Sequence, residues 1–141
     1  MKNRISGSIY PEAEDRSWSS SDAPDRNRHA FDLEERTAVF GEVIVWFVKN
    51  IPRGPDTNRL IDQPVGCGTS IGANYCEANE GLSKKDFHCT IGRCRKESKE
   101  TKLFLRMVAA SEPTLAPEAR TLFRKAKELH PIFCAMFRNS T

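Results

Sequence analysis

Residues 68–72 read Gly-Thr-Ser-Ile-Gly and fit the Gly-x-Ser-x-Gly pattern of a nucleophile elbow. That motif works because a sharp strand-to-helix turn exposes its serine beside an oxyanion hole. No convincing strand precedes the motif here, and the remaining triad members would have to be Asp86 with His88 or His130. A serine and two glycines on the packing face of a helix would account for the same residue pattern. We therefore expect no catalysis at Ser70 and no enzyme activity.

Cysteine and histidine are the next candidates, since zinc prefers their side chains as ligands. His88, Cys89 and Cys94 are close in sequence, and no Cys-x-x-Cys pair occurs. Positions five apart on a helix diverge by about 140°, because each residue turns about 100°, so the two cysteines share a metal ion poorly. We expect structural, reduced thiols, no metal and no other cofactor. His130 has no evident partner in the sequence and is interpreted as an ordinary surface or loop histidine.

Glu97 and Glu100 have the spacing of a carboxylate pair, because residues three apart are neighbours on one face of a helix. Arg93 precedes Glu97 by four residues, and Lys96 precedes Glu100 by four. Ion pairs within the helix or between subunits explain these glutamates more simply than acid–base catalysis does.

A row of basic residues gives the sharpest functional signal. Taking Phe87 as zero and about 100° per residue, the row falls at roughly +60° to +120°, and it consists of Lys84, His88, Arg95, Lys99, Lys102 and Arg106. Arg93, Glu97 and Glu100 fall on the other flank, at roughly −80° to −140°. Evenly spaced cations follow a phosphate backbone and release its counterions, so the row predicts RNA or DNA binding. Two unlike flanks also suit head-to-tail packing into a ring. The alternative is a solvated charged face.

Composition limits the classes of protein that need considering. The chain has 141 residues, 38% apolar and 29% charged, with a net charge of +3. This length suits one domain with a core that needs no disulfides. No apolar run approaches the ~18 residues of a membrane span, and no apolar block marks a secretory signal. We expect a cytoplasmic protein with no membrane contact, and no small-molecule substrate is evident.

The chain divides into a tail and a body. Residues 1–30 are poor in apolar side chains and rich in Ser, Asp, Arg and Pro. Such a segment buries too little surface to offset its ordering entropy, which predicts a disordered tail. Residues 31–141 form the predicted folded domain.

The first helical segment starts after Asp32 as its N-cap, and Pro52 and Gly54 end it. Its main apolar row has helical spacing and consists of Leu33, Phe40, Ile44, Phe47 and Ile51, with Thr37 filling the gap. Val39, Val43 and Trp46 form a second row beside it. A helix with two apolar stripes is usually buried on two sides. A central core helix and a subunit interface both explain this pattern.

The second segment, 55–81, is the weakest prediction of the four. Its apolar period is loose, and Pro64 together with three glycines lowers helix propensity in its middle. Pro64 is expected to kink or delay the helix, whereas the glycines favour close approach of another helix. Asn74 and Glu77 share one face, and we expect both to hydrogen-bond into a neighbouring helix.

The third segment starts with the capping pattern Ser83-x-x-Asp86. Its seam alternates by four and three residues: Phe87, Ile91, Cys94, Ser98, Thr101, Leu105 and Val108. The fourth follows residues 112–114 with the stripe Leu115, Ala119, Leu122, Ala126, Leu129 and Phe133. Pro131 is expected to bend or interrupt it. Four segments with short connections and no strand pattern predict an all-α, antiparallel up-down-up-down four-helix bundle.

Several of these strings resemble one protein family. They are Leu33–Thr37, Gly68–Tyr75 with Gln63 before it and Glu77 after it, Ser83–Phe87, and the pairs Lys96-Glu97 and Glu100-Thr101. Together they resemble the four-helix-bundle proteins encoded in 23S rRNA intervening sequences, over roughly residues 31–138. The structural motif that this resemblance implies is Gln63, Ser70, Asn74, Glu77, Glu97 and Glu100.

The resemblance implies a bundle that assembles as a ring-shaped homopentamer. A related group serves as the accessory protein of diversity-generating retroelements, where a basic pentamer engages RNA and the reverse transcriptase. For the intervening-sequence proteins, no activity is established and nucleic-acid binding is only proposed. This chain departs from the family pattern at 64–67, which reads Pro-Val-Gly-Cys where the family usually has Leu-Leu-Arg-Ser. That change puts the straightness of the second helix in doubt and removes one cation.

Overall fold

A computed structural model describes the backbone from Asp25 to Thr141 and the side chains from Asp32 onward. It contains helices α1 (Asp25–Val48), α2 (Asn58–Asn79), α3 (Lys84–Ser111) and α4 (Ala116–Asn139), with a 3-10 turn at Pro113–Leu115. No strand occurs in this part of the chain. Residues 1–24, which make up most of the predicted tail, lie outside the described residues.

Each helix packs on its neighbour in the sequence. Helix α2 packs on α1, α3 on α2, and α4 on α3, whereas α1 and α4 touch only sparsely. Among the described residues, the backbones of α1 and α3, and those of α2 and α4, do not come close, so these pairs are diagonal in the bundle. Across the core, the rings of Tyr75 on α2 and Phe133 on α4 meet edge-on with centroids 6.0 Å apart. The predicted all-α, up-down-up-down four-helix bundle is confirmed. In the same part of the chain, no helix combines the length and the apolar character needed to cross a bilayer.

Helix α1 begins earlier than predicted. It starts at Asp25, so Asp32 lies inside the helix and the prediction that it is the N-cap was wrong. The main apolar row is buried throughout, with Ile44 and Phe47 fully inaccessible. In the second row, Val39 and Val43 are half-buried and Trp46 remains 44% exposed. That second row therefore lies outside the core, next to α4.

Helix α2 is continuous despite its composition, so the expected kink or delay at Pro64 does not interrupt it. Pro64 is buried, and its packing offsets the backbone donor that proline lacks. The predicted close approach is confirmed at Gly68 and Gly72, but not at Gly66, where nothing lies within 4 Å of an added Cβ. A Cβ at Gly68 would lie 3.0 Å from Cγ1 of Ile44, and one at Gly72 would lie 3.3 Å from Oγ1 of Thr37.

The start of α3 follows its sequence signal, because the Ser83 hydroxyl accepts a bond from the Asp86 amide at 3.1 Å. Helix α4 runs through Pro131 to Asn139, so the predicted interruption was wrong. Pro131 is exposed, whereas Leu129 and Phe133 on either side are buried. Burial of the flanking stripe keeps the helix intact where proline removes one hydrogen bond.

Two fully buried threonines are satisfied within their own helices. Thr37 donates to the carbonyl of Glu34 at 2.9 Å, and Thr101 donates to that of Glu97 at 2.7 Å. These short side chains keep the centre of the bundle narrow without leaving buried groups unpaired.

Candidate nucleic-acid interface

The six residues of the predicted basic row lie on the flank of α3 that faces α4. At one end, Nδ1 of His88 is 2.8 Å from the hydroxyl of Ser140 at the end of α4. Farther along, the guanidinium carbon of Arg95 lies 3.9 Å from the ring centre of Phe137. We call the surface between these helices the α3–α4 groove. The structure therefore places the row along one groove.

Two members of the row are held by packing. The ring of Phe137 stacks on His88 with centroids 4.0 Å apart, while Arg95 covers the same ring. Gly92 makes room for Phe137, since a Cβ there would lie 3.1 Å from the ring edge. His88 and Arg95 thus stabilise the α3–α4 contact, and their flat faces are already occupied.

Lys99, Lys102 and Arg106 differ from those two residues because no aromatic ring covers them. Over the described residues, no carboxylate oxygen lies within 4.0 Å of them; the ion pairs there are Arg36–Glu128, Arg93–Glu77 and Lys96–Glu100. The three cations line a shallow cavity of about 480 Å³ with the Lys96–Glu100 pair, Leu103 and Phe123. Lys84, the remaining member of the row, is exposed at the first turn of α3.

The basic surface continues onto α4, which the sequence analysis missed. Arg106 and Arg120 line a neighbouring depression together with Phe123. Applying the same helical arithmetic to α4 could have identified Arg120. Its position opposite α3, however, depends on how the two helices are rotated against each other.

His130 also belongs to this groove and is not the ordinary surface or loop histidine that was expected. Its Nδ1 is 3.1 Å from the carbonyl of Arg95 and 3.1 Å from the hydroxyl of Ser98. Burial lowers its pKa below the usual 6.5, and the nearby charges of Lys102, Lys99 and Arg95 lower it further. The local electrostatics therefore favour the neutral imidazole.

Ser70 cannot act as a nucleophile-elbow serine, because residues 68–72 lie inside α2 and no strand leads into them. Its hydroxyl donates to the carbonyl of Gly66 within the same helix. The side-chain amide of Asn74 donates to the carbonyl of Ser70 at 2.8 Å, so the predicted bond to a neighbouring helix was wrong for Asn74.

The predicted ion pairs form in part. Lys96 pairs with Glu100 at 3.8 Å as expected. Arg93 pairs with Glu77 of α2 at 3.6 Å instead of with Glu97, so Glu77 does bind across helices. Burial, and then the neighbouring Glu100, raise the pKa of Glu97. Arg93 and Glu77 therefore lie on the α2–α3 side of the bundle, whereas Lys96 and Glu100 line the same cavity as part of the basic row. Gln63 lies on α2.

The thiols do not assemble into a metal site. Cys94 is buried and Cys89 is exposed, as their divergent helical positions predict. Burial raises the pKa of Cys94 to about 12, and its thiol donates to the carbonyl of Ile71 at 3.6 Å. Residues 32–141 contain no cluster of three or more side chains suited to a metal ion.

The fold is similar to that of a solved protein from Bacteroides thetaiotaomicron, described as a protein of unknown function from the S23 ribosomal protein family. The two structures superpose with a TM-score of 0.68 and 23% sequence identity, over 74% of this chain and 97% of that chain. At this identity, the likeness establishes the fold alone. No family model matches the sequence. No curated protein matches it either.

Proposed function

We propose that this protein is a nonenzymatic accessory protein of the 23S rRNA intervening-sequence type, which forms a ring and binds RNA or DNA through phosphate contacts. One observation carries the proposal. Lys99, Lys102 and Arg106 line one cavity and have no carboxylate oxygen within 4.0 Å in the described residues, and the glutamate of that cavity, Glu100, is paired with Lys96. The Bacteroides protein with the same fold supports the family, and its own function is unknown.

The groove suits a phosphate backbone better than it suits base edges. Lys99 and Arg106 are seven residues apart, and an α-helix rises about 1.5 Å per residue, so the three cations span about 10 Å. That is the axial length of about three phosphates on one strand of B-form DNA. Each phosphate that they neutralise releases counterions, which makes binding depend on salt and not on sequence. The half-buried position of Lys102 keeps its charge close to the protein surface, where solvent screens it less.

Two apolar patches support assembly into a ring. One patch consists of Val45 and Trp46 on α1, which are 37% and 44% exposed, and the other is Met107 on α3, which is 44% exposed. Both patches lie near the C-terminal ends of parallel, diagonal helices, so they occupy the same end of the bundle on different sides. Unlike patches that pair with each other give a heterologous contact, which closes into a ring when the rotation allows.

The nucleic-acid proposal is tested by binding to generic single-stranded RNA over a range of salt concentrations. Replacing Lys99, Lys102 and Arg106 with Ala should weaken binding and reduce the log–log salt slope by about 2 units, given about 0.7 per lost phosphate contact. The matched control replaces three exposed cations elsewhere, Arg53, Arg59 and Lys125, with Ala. That control removes the same charge and should leave the slope within about 0.7 of the parent.

Equal losses in the two triple variants would show that net charge alone attracts RNA, and would remove the groove from the proposal. No binding at low salt would remove the nucleic-acid function entirely. The second candidate would then stand: a structural or protein-interaction oligomer without nucleic-acid contact. The packing of His88 and Arg95 against Phe137 favours that candidate, because it assigns part of the basic row to the bundle itself.

A further inference from the structure

Cys134 and His130 form a thiol–imidazole pair on α4. The sulfur of Cys134 lies 3.4 Å from Nε2 of His130, within hydrogen-bond reach for a thiol. Residues four apart share one face of a helix, which brings the two side chains together. Both residues are partly exposed, and His130 faces α3 through Arg95 and Ser98.

The hydrogen bonds fix which nitrogen of His130 holds the proton. Its Nδ1 lies 3.1 Å from the backbone carbonyl of Arg95, which only accepts, and 3.1 Å from the hydroxyl of Ser98. That hydroxyl donates its own proton to the Arg95 carbonyl at 2.9 Å. Both neighbours of Nδ1 thus accept, so we assign the proton to Nδ1, which leaves Nε2 of the neutral ring as an acceptor. The Cys134 thiol then donates its proton to Nε2. Cys134 as nucleophile, His130 as base and the Arg95 carbonyl as the group that orients the base thus form one hydrogen-bonded chain.

The charges around the pair are positive. From α3, Arg95, Lys99 and Lys102 all face His130. No carboxylate is among the charged groups that act on the imidazole. A cationic surrounding attracts anionic reactants.

The other four thiols lack this arrangement. Cys67 and Cys94 are buried, and burial raises the pKa of both. Cys76 is exposed, yet partial burial and the charge of Glu34 raise its pKa. Cys89 is exposed and has no imidazole bond among the described residues, since Nδ1 of the adjacent His88 meets Ser140.

We propose that Cys134 is a nucleophilic thiol that undergoes exchange with small anionic disulfides and becomes a mixed disulfide. Nε2 of His130 takes the thiol proton as the Cys134 sulfur attacks one sulfur of the disulfide. The new S–S bond forms while the old one breaks, and the departing thiolate takes the proton from His130. The small disulfide is the oxidant, since one of its sulfurs leaves as a thiol. This chemistry does not depend on nucleic-acid binding.

The experiment uses the full chain with glutathione disulfide at neutral pH and follows each cysteine by peptide mass spectrometry. We expect Cys134 to form the mixed disulfide at least about tenfold faster than the more exposed Cys76 and Cys89, because a positioned base typically contributes 10²–10⁴-fold. Faster reaction of Cys76 or Cys89 would mean that exposure alone governs reactivity, and would overturn the proposal.

The base is tested with His130→Asn, whose amide can still donate to the Arg95 carbonyl but cannot take a proton. The rate at Cys134 should fall at least about tenfold, while the rates at Cys76 and Cys89 stay unchanged. Continued protection of buried Cys94 shows that the variant is folded, and His130→Gln replaces it if Cys94 reacts. An unchanged Cys134 rate in the folded variant would refute the role of His130.

Charge selectivity is tested with cystamine, a cationic disulfide, as the matched probe. Replacing Lys99 and Lys102 with Gln should slow glutathione disulfide several-fold at low salt and leave cystamine unchanged or faster. Equal rates for both probes in the unaltered protein would contradict the preference for anions.

Discussion

His130 shows how one position serves both packing and electrostatics. Its imidazole bonds to the carbonyl of Arg95 across the helix contact, and three cations of α3 surround it. Protonation there would add a fourth positive charge to a half-buried place. The neutral ring is thus the form that the fold stabilises, and the cost of protonation becomes a measurable property of the protein.

The expected consequence is a loss of stability in weak acid. Because the folded pKa of His130 lies below the unfolded 6.5, the unfolded chain binds more protons between those two values. The contribution is complete above about pH 6.5 and is lost as the pH falls toward the folded pKa. Urea unfolding of the parent and of His130→Asn between pH 8 and pH 5 should show a steeper decline in the parent. Parallel curves would show that His130 titrates alike in both states.

The sequence predicts which residues lie in the core, but it does not predict which ion pairs form between helices. Spacings of three and four place Ile91, Cys94 and Leu105 in the interior, and all three are inaccessible. Burial follows from periodicity because a helix presents one face to its neighbours. The partner of Arg93 depends on the rotation of α2 against α3, which leaves Glu77 nearer than Glu97. No spacing within one helix encodes that rotation.

At the scale of the helices, α1 and α2 pack with backbone close to backbone. Gly41 meets the backbone of Thr69, and Gly72 meets the backbone of Thr37. Small residues on both helices let the two backbones come close. Low helix propensity in the middle of α2 is the cost of that contact, and burial of the α2 face offsets it.

Two glycines of α2 make a matched pair for measuring that cost. Gly66 is exposed with nothing within 4 Å of an added Cβ, so Gly66→Ala should stabilise the protein by about 0.5–1 kcal/mol. A Cβ at Gly72 would lie 3.4 Å from both the carbonyl carbon and the oxygen of Thr37. Because backbone gives way poorly, we expect Gly72→Ala to destabilise by about 1 kcal/mol or more despite its better propensity.

Thermal or urea unfolding of both variants checks this expectation. Equal stabilisation in the two would show that α1 and α2 are farther apart than the structure has them.

The expected interruptions at proline and glycine failed in helices that tertiary contacts hold together. Pro131 carries a breaking signal, but α4 continues because Leu129 and Phe133 are buried on its inner face. The glycines and Pro64 of α2 weaken its local propensity, and the contact with Ile44 decides the outcome. In contrast, the start of α3 was predicted correctly, because Ser83 and Asp86 form their bond locally. Features that depend on contacts within one helical turn could be predicted from the sequence, whereas features that depend on packing against another helix could not.

For the whole molecule, assembly and binding would reinforce each other. A single groove offers Lys99, Lys102 and Arg106, whereas a ring would repeat the same three cations around its circumference. Binding of one long strand to several grooves raises the effective concentration for each further contact. Modest contacts in one subunit would then give strong binding in the ring.

The ring therefore predicts that an apolar patch far from the groove controls the size of the particle. Trp46 is 44% exposed on α1, and Trp46→Glu should place a charge in the proposed subunit contact and dissociate the oligomer. Leu82, which is 99% exposed in the α2–α3 connection, provides the control, since Leu82→Glu replaces an exposed apolar residue outside the patch.

Multi-angle light scattering should give a smaller mass for Trp46→Glu and the parent mass for Leu82→Glu. A monomeric parent would remove the ring, and equal masses for all three proteins would remove α1 from the contact. Dissociation by Trp46→Glu with unchanged helix content would also lower RNA affinity while the cations of the groove stay intact, because the repeated grooves would be lost.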